Sequence, residues 1–149
     1  MRVAAFDPHR DATAPEWTGI VRHDDLATLL AEADVVSLHV PLTEATRHLI
    51  DARALGRMKP DAVLVNAARG GSLDEAALAA ALREGQLAGA MLDVFEQEPL
   101  PAGSVLEGVP NLILTPHIAG VTEESNARIS QMTADHVRDM LAQPAGVTL

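Results

Sequence analysis

The stretch Ala62-Val63-Leu64-Val65-Asn66-Ala67-Ala68-Arg69-Gly70-Gly71-Ser72-Leu73-Asp74-Glu75 decides the fold. Residues 62–68 are almost continuously apolar, as a strand buried on both faces of a sheet would be. Paired glycines break the run. Ser72-Leu73-Asp74-Glu75 then reads as a capping box with Ser72 as the cap, and Leu78 and Leu82 carry an apolar face at helical spacing until Gly85 stops it. Outward from this unit the same alternation recurs. Residues 3–6, 35–40, 89–95 and 112–115 read as further strands, and residues 25–33, 46–57 and 122–142 as helices. Asp24 and Asp25 give the first helix a cap region ahead of Leu26, Leu29 and Leu30. Strict alternation of strand and helix predicts an α/β chain with a parallel sheet and helices on both faces.

The length of 149 residues, with 48% hydrophobic and 21% charged, suits one compact domain, without repeat, low-complexity tract or linker. Eleven basic residues against 21 acidic ones leave a formal charge of −10, which argues against nucleic acid or an anionic membrane as partner. No apolar run approaches the roughly 20 residues of a membrane span, and the N-terminus carries no signal-peptide pattern, so a soluble cytoplasmic domain is expected. Cysteine is absent, which removes disulfides, thiolate nucleophiles and cysteine metal sites. Tyrosine is also absent and Lys59 is the only lysine, so a tyrosine–lysine dehydrogenase site is excluded. Lys59 itself, in Met58-Lys59-Pro60, reads as a solvated turn residue. His9, His23, His39, His48 and His136 show no metal-ligand spacing and read as structural or solvated, so no metal is expected.

Ligands of such sheets bind beyond the C-terminal ends of the strands. The residues there form a polar set: Asp7 after Phe6, Pro41 after Val40, Arg69 with two glycines after Ala68, Asp93 and then Glu98, and His117 after Thr115-Pro116. Asp7 suits either a turn with Pro8 or a carboxylate accepting hydrogen bonds from an adenosine ribose. Arg69 suits a surface ion pair or, between a buried strand and paired glycines, a fork gripping a carboxylate through two bonds. His117, in Thr115-Pro116-His117-Ile118-Ala119-Gly120, is a solvated ring or a proton donor. Glu98, in another strand-end loop, could raise its pKa by favouring the imidazolium.

Four segments, in order and spacing, carry a resemblance over nearly the whole chain. Val35-Val36-Ser37-Leu38-His39-Val40-Pro41-Leu42-Thr43, Val65-Asn66-Ala67-Ala68-Arg69-Gly70, Gly89-Ala90-Met91-Leu92-Asp93-Val94-Phe95-Glu96-Gln97-Glu98-Pro99 and Thr115-Pro116-His117-Ile118-Ala119-Gly120 resemble the D-isomer-specific 2-hydroxyacid dehydrogenases. The resemblance implies a Rossmann-like fold, NAD as cofactor and a small 2-hydroxy or 2-keto acid as substrate. It also implies Arg69 as the substrate-binding arginine, His117 as the acid/base and Glu98 as the carboxylate that orients it. Asp93 matches the residue at the nicotinamide carboxamide, Asp7 the ribose carboxylate, and Val40, Pro41 and Ala67 positions lining the cofactor pocket. Asp7 favours NAD over NADP, although His9 and Arg10 follow closely.

The family's Gly-x-Gly-x-x-Gly turn should lie about 20 residues before the ribose aspartate, yet only six residues precede Asp7. The expectation is therefore a partial NAD-binding domain over residues 1–149, without the first βα unit and without the substrate domain. In the strand order 3-2-1-4-5-6 the absent strand falls between those ending at Phe6 and Ala68. Two outcomes follow: these strands pair directly in a rearranged sheet, or another chain fills the gap, most simply by swapping in a homodimer. Two function classes follow as well: a dehydrogenase completed by another polypeptide, and an inactive remnant serving as an interaction module or weak nucleotide-binding domain. The remnant is the expectation for turnover by the isolated chain. Thr122-Glu123-Glu124-Ser125 reads as the cap of the last helix.

Overall fold

A computed structural model describes residues 1–142 and divides the chain into two compact units, Met1–Pro116 and one beginning at His117. In the first unit β1 (Ala4–Ala5) pairs parallel with β2 (Val21–Arg22), Ala4 opposite Val21. A second parallel sheet holds β3 (Val35–Leu38), β4 (Val63–Asn66), β5 (Gly89–Leu92) and β6 (Leu112–Leu114), in that order. Helices α1 (Leu26–Glu32), α2 (Ala52–Leu55) and α3 (Glu75–Arg83) connect β2 to β3, β3 to β4 and β4 to β5. The α/β class with parallel pairing and intervening helices is as the alternation predicts.

Register explains where the core sits. Val36, Leu64, Ala90 and Leu112 are paired across the sheet, as are Leu38, Asn66, Leu92 and Leu114. Successive strand residues face opposite sides, so both rows lie on one face. From them Val36, Leu38, Leu64, Ala90 and Leu92 are buried in one cluster with Leu30 of α1, Leu55 of α2 and Leu78 and Leu82 of α3. On the other face Val35 and Ile113 are 59% and 64% exposed, so continuous apolar character in these strands does not mean burial on both sides.

Several boundaries differ from the sequence expectations, for local reasons. Residues 46–57 form a helix only at Ala52–Leu55. Before it, the Thr46 hydroxyl closes a turn by donating to Pro41 O at 2.6 Å and accepting from Thr43 N at 2.8 Å, while Ile50 bridges to Leu73. That bridge also displaces the start of α3. The cap is Asp74, whose side chain accepts from Ala77 N at 2.9 Å, and Ser72 is a buried residue of the arginine loop. The helix ends as expected at Gly85, whose φ of +69° is the left-handed geometry glycine adopts most readily.

The strand order corrects another expectation. β3 lies directly beside β4, while β1 and β2 form a sheet of their own, so β1 does not pair with β4. The short β2, unrecognised in the polar stretch before residue 23, takes the place beside β1 that the order 3-2-1-4-5-6 would give to residues 35–40. In the second unit α4 (Glu123–Ala142) is capped as expected, Thr122 Oγ1 accepting from Ser125 N at 3.0 Å. None of its residues is buried, and residues 143–149, with the end of the chain, lie outside the described part. No helix among the described residues is long and apolar enough to cross a membrane.

Candidate functional site

The strand ends carry the expected residues, in the two units. In the first, Asp7 follows β1, Val40 and Pro41 follow β3, Ala67 and Arg69 follow β4, and Asp93 and Glu98 follow β5. His117 opens the second unit.

The Arg69 loop is held by its backbone. Asn66 ends β4 with only 1% of its surface exposed; its Oδ1 accepts from Ala68 N at 3.1 Å, and its amide lies 3.3 Å from Arg69 O. The buried Ser72 hydroxyl donates to the same carbonyl at 2.7 Å. Two side chains thus fix one carbonyl, and the exposed Arg69 guanidinium projects from a rigid base, donating to Ala68 O at 2.6 Å. Gly70 is required here by proximity: a Cβ at this position would lie 1.7 Å from Phe95 O. The loop after β4 therefore runs against the loop after β5, which only glycine allows.

That second loop carries two carboxylates in different settings. Asp93 is buried, and its Oδ1 accepts from the Thr115 hydroxyl at 2.5 Å, so its carboxylate faces the end of β6. Glu98 is exposed, and its Oε1 accepts from Phe95 N at 2.9 Å, which anchors the carboxylate without burying it. Asp7 is half-buried and accepts from His9 N at 2.9 Å, the turn that Pro8 suggests. Arg10 pairs with Glu16 at 3.0 Å and Arg22 with Asp24, stacking 5.7 Å from the Trp17 ring. Lys59, in its turn, pairs with Asp34 at 2.7 Å.

His117 is exposed and has φ +54°, a left-handed backbone. Few non-glycine residues adopt it, and such outliers concentrate where chemistry dictates geometry. Among the described residues no cluster of three or more His, Cys, Asp or Glu could hold a metal ion.

Sequence reasoning missed the supports of this site. Asn66 is a polar residue closing an apolar strand, and a buried amide must find partners; that signal pointed to the loop it organises. Glu75, Glu96 and His48, which join the two loops from below, gave no comparable sign.

In the first unit the parallel strands of an α/β fold carry an arginine and three carboxylates at their ends, the edge where domains of this class bind nucleotides. The model for the NAD-binding domain of D-isomer-specific 2-hydroxyacid dehydrogenases matches residues 1–119, and the chain belongs to this family. It is 62% identical over 141 residues to the (S)-sulfolactate dehydrogenase of Chromohalobacter salexigens, covering 95% of this chain and 46% of that protein. It is 45% identical over 137 residues to a glyoxylate reductase of Korarchaeum cryptofilum, covering 92% of this chain and 41% of that one. The fold matches a crystal structure of a glyoxylate reductase from Paecilomyes thermophila with a TM-score of 0.85 and 33% identity, over 96% of this chain and 43% of that one. It also matches the NAD-complexed D-isomer-specific 2-hydroxyacid dehydrogenase of Lactobacillus delbrueckii with a TM-score of 0.80 and 34% identity, over 99% of this chain and 49% of that one. The chain thus spans less than half the length of these relatives.

Proposed function

We propose that the chain supplies the NAD-binding part of an oxidoreductase that interconverts a 2-hydroxy acid and its 2-keto acid. One observation supports this most: the arginine of the matched motif stands on a loop whose backbone is pinned by Asn66 and Ser72 and pressed through Gly70 against the Glu98 loop. NADH, when bound, supplies the hydride. Arg69 grips the substrate carboxylate and polarises the adjacent carbonyl, an electrostatic role suited to a fixed fork. His117 is the proton donor to the developing alkoxide, and Glu98 is the carboxylate that the family resemblance assigns to orienting it.

The two ends of the cofactor fit the donor set. Asp7 offers an acceptor for the ribose diol, and the nearest arginine in sequence, Arg10, is engaged by Glu16, which favours NAD over its 2′-phosphorylated form. Val40, Pro41 and Ala67 are small or compact residues at strand ends, suited to lining a pocket, and Asp93 is assigned to the carboxamide end. The pyrophosphate end is different, because the chain contains no Gly-x-Gly-x-x-Gly turn. For substrate, the 62% identity to a sulfolactate dehydrogenase makes sulfolactate the first candidate, with glyoxylate and hydroxypyruvate next. A homodimer is part of this proposal, supported by the sheet edges at β1 and β3, where Val3 and Val35 are 47% and 59% exposed.

Trp17 is the only tryptophan and lies between β1 and β2, so its emission tests the cofactor reading directly. Titration with NADH is expected to quench it by energy transfer, more strongly than NADPH does, and Asp7→Ala is expected to narrow that difference. No quenching by NADH contradicts the cofactor assignment, and equal quenching by both contradicts the role of Asp7.

A further inference from the structure

The two loops that carry Arg69 and Glu98 are locked together by side chains that the proposed chemistry does not use. Glu75 opens α3 and is only 9% exposed. Its Oε1 accepts from Glu96 N at 2.6 Å. Glu96 returns the bond: its Oε1 accepts from Glu75 N at 3.3 Å and lies 3.1 Å from His48 Nε2. His48, at φ +48°, donates its own N–H to Gly71 O at 2.8 Å. Ile50 N to Ser72 O and Asp74 N to Ile50 O, at 3.2 and 3.0 Å, continue that seam. The chain of bonds therefore runs from the arginine loop through His48 and Glu96 to the loop bearing Glu98, and closes on the first turn of α3.

Helix capping does not account for Glu75. Asp74 already caps α3 through Ala77 N. A buried carboxylate with Glu96, Asp74 and Glu98 for neighbours is an unfavourable choice for packing: desolvation, followed by the negative charges of these residues, raises its pKa. What the carboxylate does accomplish is to hold the Glu96 amide, one residue from Phe95, whose carbonyl abuts Gly70 and whose N–H anchors Glu98.

We infer that Glu75, with Glu96 and His48, forms a latch that fixes the Arg69 loop against the Glu98 loop, and that Glu75 is a positioning residue for the reaction. The inference rests on the oxidoreductase reading for its functional half and on bond geometry for its structural half. Displacement of a reacting group by about 1 Å costs on the order of 10²-fold in rate, so a latch between these two loops controls turnover without touching the substrate.

Amide hydrogen exchange on the full chain tests the structural half. In Glu75→Ala the amides of Phe95, Glu96 and, across the seam, His48 are expected to exchange on the order of 10-fold faster, while Glu75→Gln, which keeps an accepting oxygen, leaves them within about twofold. Loosening confined to Glu96, or none, overturns the latch. Should Glu75→Ala fail to fold, Glu96→Ala removes the other half of the pair from an exposed position and carries the same expectation at His48. Steady-state kinetics test the functional half. Glu75→Ala is expected to lower kcat/KM for the keto acid on the order of 10²-fold with the KM for NADH unchanged, and Glu75→Gln to restore it. An equal change in both KM values, or unchanged kinetics beside accelerated exchange, overturns the positioning role. Absence of keto-acid reduction by the unsubstituted oxidoreductase that contains this chain refutes the oxidoreductase reading instead, and exchange alone then decides the latch.

Discussion

The β4–α3 end of the first unit and its β1–β2 end are built on different principles. At β4–α3, Leu64 and Leu78 are fully buried, Asn66 and Ser72 have their polar groups satisfied, and the Arg69 loop inherits that rigidity. At β1–β2 the strands are two residues long, Val3 and Val21 are 47% and 41% exposed, and side-chain hydrogen bonds stay local, as between Asp7 and His9 or Asp11 and Thr13. Arg69, assigned to the substrate carboxylate, stands on the ordered core, and Asp7, assigned to the adenosine, stands on a ribbon with little core of its own. Chemistry that needs sub-ångström placement is thus supported by packing, whereas recognition of a ribose diol needs only an acceptor in reach.

Substitutions can break this contrast, and the largest effect is expected at the arginine. Arg69→Ala is expected to lower keto-acid reduction by on the order of 10²–10³-fold, and Arg69→Lys to recover little, since an ammonium cannot form the two-pronged bond; steady-state assays check both. Next in size, Leu64→Ala is expected to destabilise the fold by about 2–5 kcal/mol, measured by urea denaturation. The matching truncation at the other end, Val21→Ala, is expected to stay within about 0.5 kcal/mol. Equal losses at the two positions would remove the distinction between the ends.

A smaller effect follows from Glu75. Its pKa is raised, chiefly by desolvation, so the folded chain binds this proton more tightly than the unfolded chain does. The corresponding stability is fully present below the ordinary glutamate pKa and is lost as pH rises through the raised one. Glu75→Gln is therefore expected to show a higher Tm than the parent at neutral pH, with the gap closing as the solution is acidified. A gap that widens on acidification would contradict the burial of this carboxylate.

Much of this was legible in the sequence because period and punctuation carried it. The apolar run before Asn66, the glycines at 70 and 71 and the stop at Gly85 located β4, the arginine loop and the end of α3. Capping was legible in kind but not in place: the Ile50–Leu73 bridge, a contact between distant segments, moved the start of α3 from Ser72 to Asp74. β2 was not legible, since two residues give no period and their pairing with β1 is decided by backbone alone. The latch was hidden for the same kind of reason, because Glu75, Glu96 and His48 lie far apart in sequence and each looks like an ordinary polar residue.

The central claim is that Arg69 anchors the carboxylate of a 2-keto acid during NADH-dependent reduction. The decisive assay follows the loss of NADH absorbance with glyoxylate, hydroxypyruvate and sulfopyruvate, in parallel on the oxidoreductase that contains this chain and on its Arg69→Ala variant. Turnover of at least one acid is expected of the oxidoreductase that contains this chain, and its loss is expected in Arg69→Ala. No turnover of any of them, or the same rate in both proteins, would contradict it.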